Sequence, residues 1–205
     1  MSLDALRARI QALEGRRVHR RREPTGIEGL DRLTGGLPQP GLVELHGPPG
    51  AGAERLAADI LVRPARFGRP VAWVDAGRTL YPPALAQRGL DLRYLLLVRP
   101  PAGHEVWAME QLLRSGVFPF VVGSGLIRLG KAGPRWGRAV EQGGCTAIVV
   151  SEQPSRALPA DLRLAVGPDG VTVSRDRTGA FGRQGATPEE PVDCDPWQQA
   201  RWMAS

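Results

Sequence analysis

Nine residues, GPPGAGAER at positions 47–55, have the spacing of a phosphate-binding loop. Gly47 and Gly52 occupy the two glycine positions of G-x-x-x-x-G-K-[ST], and Gly50 lies between them. The apolar run LVELH (42–46) before them reads as a buried strand, and LAADILV (56–62) after them reads as a helix. In such a loop the backbone N–H groups at the helix start hold phosphate, a lysine neutralises the β- and γ-phosphates, and a hydroxyl holds magnesium. Here the lysine and hydroxyl positions carry Ala53 and Glu54. Ala53 brings no charge, and Glu54 places a carboxylate where phosphate oxygens would lie. No lysine occurs earlier in the loop, and Arg55, one residue further on, projects from another side of the helix. The backbone of a nucleotide site is present without its working side chains. The plainer alternative is a glycine turn that serves only the chain path.

The elements that must position this loop are those of one α/β domain, a size that 205 residues can supply with a real core. No apolar run approaches the roughly 18 residues of a membrane span, and the charged, amphipathic N-terminus does not read as a signal peptide. Cys145 and Cys194 are far apart, with no His or Cys at metal spacing, so a reduced, cytoplasmic setting is expected and no metal. The net charge of +6 is concentrated: residues 1–22 hold seven arginines against Asp4 and Glu14, or +5. Lys131 is the only lysine. Three regions are expected: an arm at 1–22, a core at 23–180 and a tail at 181–205.

In the arm, Leu3, Leu6, Ile10 and Leu13 recur at helical spacing and form one apolar stripe. A basic segment with Arg16, Arg17, Arg20, Arg21 and Arg22 follows. The stripe suits a partner and the arginines an acidic surface or phosphates; a helix packed on its own domain, followed by a solvated linker, fits equally. Next, TGIEGLDRLTGGLP (25–38) leads through Gly41 into the strand and glycine loop. This succession resembles the opening of the RecA-type recombinase core, with a short helix over 27–33 closed by Gly35 and Gly36.

The resemblance continues into PVAWVD (70–75), read as the second strand, and AGRTLYPPALAQRGL. It implies that the catalytic glutamate of the family falls at Gly77 and its adenine-packing aspartate and tyrosine at Tyr81 and Ala84. DLRYLLLV (91–98) reads as a third strand and HEVWAMEQLLR (104–114) as a helix, with Met109 and Trp107 as core or edge residues. VFPFVV (117–122) reads as the fourth strand, whose magnesium-holding aspartate would fall at Gly123, and CTAIVVS (145–151) as the fifth. A closing hairpin is expected over 162–166 and 171–175 across GPDG (167–170). Three catalytic positions are thus changed together: Ala53, Gly77 and Gly123.

The two loops that line the axis of a recombinase filament are reduced. The first spans about 126–144, with Arg128, Lys131, Arg135 and Arg138; the second is 153–160. Lys131, Arg135, Trp136 and Arg138 could form a basic stacking platform, or Trp136 could pack inward. The tail combines an acidic, proline-rich stretch, read as disordered, with Trp197 and Trp202, read as a docking peptide or as packed back on the domain.

Size, altered motifs and short loops make the chain resemble the ImuA family, RecA-like accessory proteins of an ImuA–ImuB–polymerase translesion cassette. That resemblance implies a non-enzyme without a cofactor, acting in SOS mutagenesis at the nucleoid, with ImuB, RecA and an error-prone DNA polymerase subunit as partners. The other classes are a DNA-binding module, a weak nucleotide sensor or ATPase, and a division inhibitor.

Overall fold

Residues 21–126 and 132–177 are described by the structure, a computed structural model. The expected stripe (Leu3, Leu6, Ile10, Leu13), Arg16, Arg17, Arg20, Arg128, Lys131, Trp197 and Trp202 lie outside the described residues. In chain order the elements are β1 (Arg21–Glu23), α1 (Glu28–Thr34), β2 (Leu37–Gln39), β3 (Gly41–His46), α2 (Ala53–Arg66), β4 (Val71–Asp75) and α3 (Pro82–Gln87). A 3-10 turn (Leu92–Tyr94) then precedes β5 (Leu95–Val98), α4 (Glu105–Arg114), β6 (Phe120–Ser124), α5 (Ala132–Gly143), β7 (Thr146–Ser151), β8 (Leu162–Gly167) and β9 (Gly170–Asp176).

The central sheet runs β5-β4-β6-β7-β3-β8-β9. Every neighbouring pair is parallel except β8–β9, the expected closing hairpin. Its inner strands β4, β6 and β7 are largely apolar and buried because helices cover both faces, whereas β8 alternates and β9, at the edge, is mostly half-buried or exposed. Phe120 and Val122 join Trp73, Ile148 and the α2 residues Leu56, Ile60 and Leu61 on one side. Val121 joins Val74, Ala147, Met109 and Leu113 of α4 and Trp136 and Val140 of α5 on the other. The fold is the expected α/β core with a mainly parallel sheet.

The α1 motif has a local cause. The Asp31 carboxylate accepts the Thr25 amide and hydroxyl, both at 2.8 Å, and the Gly26 amide at 2.9 Å. The incoming turn is thereby folded onto the helix that Gly35 ends at φ 70°.

Several expectations are corrected. The strand expected over 91–98 is a 3-10 turn followed by only four strand residues, because the Asp91 carboxylate accepts the Arg93 amide at 3.0 Å and starts the turn. The strand expected at 117–122 is shifted to Phe120–Ser124. Of the two residues expected in the core or at its edge, Met109 is fully buried as expected, whereas Trp107 is 59% exposed. The expected mobile loop at 126–144 contains a helix, α5, whose Trp136 is 0% exposed and donates its indole N–H to the Val106 carbonyl at 3.4 Å. Two of its glycines look loop-like in sequence but permit close packing: a Cβ on Gly133 would lie 2.1 Å from the Ala157 oxygen, and one on Gly143 1.9 Å from the Leu113 oxygen.

Arg22, expected in a solvated arm, belongs to the core. It sits in β1, which pairs with β2, and its side chain is 11% exposed and 2.7 Å from Asp176. It also donates to the Gly36 carbonyl at 3.0 Å. Arg21 beside it is 80% exposed.

Candidate functional site

At the C-terminal ends of parallel strands, where α/β sheets receive ligands, the glycine loop runs from the end of β3 into α2. Gly50 (φ 82°) and Gly52 (φ 99°) take left-handed backbone conformations that only glycine adopts freely. Gly47 is needed for a different reason: a Cβ there would meet the Val166 carbonyl oxygen of β8 at 2.1 Å. The loop opens on a cleft of about 890 Å³. It is lined by the loop residues Gly47, Gly50, Gly52, Ala53 and Glu54 together with Gly77, Thr79, Gly125, Leu126, Ser151 and Glu152. The loop and the Gly77 position, distant in sequence, therefore share one site.

The charged residues that line the cleft are the carboxylates Glu54 and Glu152 and one cation, Arg55. Burial pushes the Glu54 carboxyl above its ordinary range, and the nearby Asp75 charge adds to the shift. Asp75 is itself fully buried and already engaged. It accepts the Thr79 amide at 3.1 Å, the Leu80 amide at 3.2 Å and the Arg99 guanidinium at 3.0 Å, closing the loop after β4 on itself. Arg55, expected to project elsewhere on the helix, instead also lines the cleft, and its charge reaches Asp59 one turn along α2. Among the described residues no group of His, Cys, Asp and Glu is placed to hold a metal ion.

The two remaining changed positions differ in kind. At Gly77 an added Cβ would find only ordinary contacts, the nearest at 3.6 Å, so a side chain has room there. At Gly123 a Cβ would lie 2.6 Å from Leu126 Cδ1 and 3.3 Å from Met109 Sδ. Apolar side chains fill the place next to the strand end. The following residue, Ser124, is buried and accepts the Trp73 indole N–H at 2.9 Å.

Of the basic residues considered for DNA, Arg138 is exposed, whereas Arg135 forms an ion pair with Glu110, which also holds Arg114 at 2.7 Å. Trp136, buried, is not available to them as a stacking ring. Tyr81, at the adenine-packing position, is 66% exposed.

A buried charge network passed unnoticed in the sequence. Glu44, in the middle of β3 and 0% exposed, pairs with Arg163 of β8 at 2.5 Å. It also accepts the Ser155 amide at 2.7 Å and the Ser151 hydroxyl at 3.2 Å. Arg163 in turn donates to the Ser155 and Leu158 carbonyls. The second, short loop is thus held by the sheet. An acid inside an apolar strand, LVELH, was the available signal, since buried charge requires a partner.

The parallel sheet, the strand–glycine turn–helix and the cleft define the class: an α/β core built around a phosphate-loop backbone. A family model of the RecA N-terminal domain matches residues 12–131, more than half of the chain, and the chain belongs to that family. It is 33% identical over 102 residues to the protein RecA of Thermotoga neapolitana, covering 48% of this chain and 29% of that protein. It is 35% identical over 101 residues to the protein RecA of Gluconobacter oxydans, and 34% over 102 residues to that of Thermus aquaticus. The matched part spans less than a third of these relatives.

Proposed function

We propose that this protein is a non-catalytic member of the RecA family that acts by binding, not by turning over ATP. The observation that carries the reading is a glycine loop in the cleft whose lysine and hydroxyl positions hold Ala53 and Glu54. The glycine frame is kept at Gly47, Gly50 and Gly52, while Glu54 lines the cleft and Gly77, where a Cβ would meet only ordinary contacts, carries no carboxylate. Removing one group that stabilises transition-state charge costs on the order of 100- to 1000-fold in rate. With the lysine, glutamate and aspartate positions changed together, little turnover remains.

The proposed role follows the resemblance to ImuA. A RecA-like core without ATP-reading groups adds to, or ends, a RecA filament and brings ImuB and an error-prone polymerase subunit to that end. Inhibition of strand exchange is the expected outcome. RecA-catalysed strand exchange on circular single-stranded DNA is measured with increasing amounts of this protein, and filament association by co-sedimentation. Slowed exchange with co-sedimentation supports the role. Unchanged exchange at several-fold molar excess, with no complex, removes it. Binding of this protein to DNA alone, weakening steeply with salt, would instead favour a DNA-binding module.

A further inference from the structure

Helix α2 begins at the cleft and ends about 20 Å away, at 1.5 Å per residue, in a surface of a different character. Arg63, Arg66 and Arg69 lie within seven residues that contain no acid. Between them Phe67 is 71% exposed, with the Arg63 guanidinium carbon 5.3 Å from its ring centroid. Arg66 is exposed and has no ion pair among the described residues. Arg69 reaches Glu23 of β1 at 3.0 Å while remaining 46% exposed, and Arg21 lies 3.6 Å from the same glutamate. Cations in a last helical turn complement the helix dipole. That accounts for Arg63 and Arg66, but not for the bare aromatic ring or the arginines contributed by neighbouring segments.

The described chain ends beside this surface. β9 finishes at Asp176, which holds Arg22 of β1 at 2.7 Å, and Arg22 lies between Arg21 and Glu23. Beyond Arg177, the stretch QGATPEEPVDCDPWQQA (184–200) carries four carboxylates and no cation. Glu189 is 12 residues past Arg177, a reach of up to roughly 40 Å when extended. We propose that the acidic segment Glu189–Asp195 docks in cis on the Arg63–Arg66–Arg69 surface. Opposite charge brings the two together, and the tether supplies a high effective concentration, so a few exposed ion pairs suffice.

The chain carries its own probe site. Cys194 lies inside the acidic segment, while Cys145 is buried and burial pushes its thiol up to about 12, leaving it unreactive. A nitroxide attached to Cys194 is read through the amide NMR signals of the full chain. Residues 63–69 are expected to lose most of their intensity, with residues 50–54 at the cleft unaffected. The loss should reverse at about 1 M salt, where screening acts within about 3 Å. It should also reverse in the E189Q/E190Q/D193N/D195N variant and weaken in R66E, both of which change only charge. Equal intensity at both ends of α2 overturns the proposal, as does broadening insensitive to salt and to these variants. Transfer of the effect from a spin-labelled chain to an unmodified, isotope-labelled one would make the contact intermolecular and overturn docking in cis. Single-stranded DNA that shifts residues 63–69 while the label leaves them sharp would assign the surface to nucleic acid instead.

Discussion

Replacing Ala53 with Lys and Glu54 with Thr is expected to give this protein measurable affinity for magnesium–ATP, a gain on the order of 100- to 1000-fold from charge-assisted hydrogen bonds of about 1.5–3 kcal/mol each. The backbone is already in place: Gly50 and Gly52 hold their left-handed conformations, and the start of α2 faces the cleft. First-turn N–H groups of a helix lack intrahelical partners and favour anions. What opposes phosphate is Glu54, whose carboxylate is disfavoured first by burial and then by Asp75. Exchanging it for a hydroxyl removes the repulsion, and the new lysine supplies the counter-charge. A fluorescent ATP analogue reads the binding. Turnover is expected to stay at background, because Gly77 and Gly123 still supply neither carboxylate. A folded A53K/E54T protein that remains blind to nucleotide would show that the loop is not a phosphate cradle.

Substituting Arg163 by Met is expected to destabilise the protein by about 3–5 kcal/mol, the cost of removing one partner of a buried ion pair. The loss is large against the roughly 5–15 kcal/mol that hold most domains together. For a chain of this size each kcal/mol moves Tm by about 2–4 °C, so a drop on the order of 10 °C is expected. Glu44 would stay buried in β3, keeping only Ser151 and the Ser155 amide as donors. The loop anchored through the Ser155 and Leu158 carbonyls would also lose its hold. Replacing both partners together, E44L/R163M, should recover much of the loss, since well-packed apolar pairs often match buried ion pairs. An R163M protein melting within a degree or two of the parent would mean that the pair carries no such weight.

Much of the sheet was legible because buried parallel strands are written as apolar runs: LVELH, VAWVD and TAIVVS each formed where expected. The GPDG turn likewise placed the closing hairpin. What escaped depends on contacts between segments distant in sequence. β1 is Arg-Arg-Glu, without alternation, and becomes a strand only by pairing with Leu37–Gln39. Helix α5 was hidden by glycines and a proline, and two of those glycines, Gly133 and Gly143, are explained only by the Ala157 and Leu113 carbonyls pressed against them. The site was partly legible. Spacing placed Gly47, Gly52, Ala53 and Glu54, and resemblance placed Gly77 in the same cleft. No local pattern showed that Asp75 spends its acceptors on its own loop and on Arg99, or that Leu126 and Met109 crowd Gly123.

Whether the cleft binds nucleotide without its lysine and carboxylates is read by calorimetric titration of the unmodified full chain with magnesium–ATP, paired with a phosphate-release assay. The expected result is no saturable heat and no release above background. Stoichiometric binding in the micromolar range, with phosphate released at a rate that responds to substitution of Glu54, would contradict the proposed non-catalytic function.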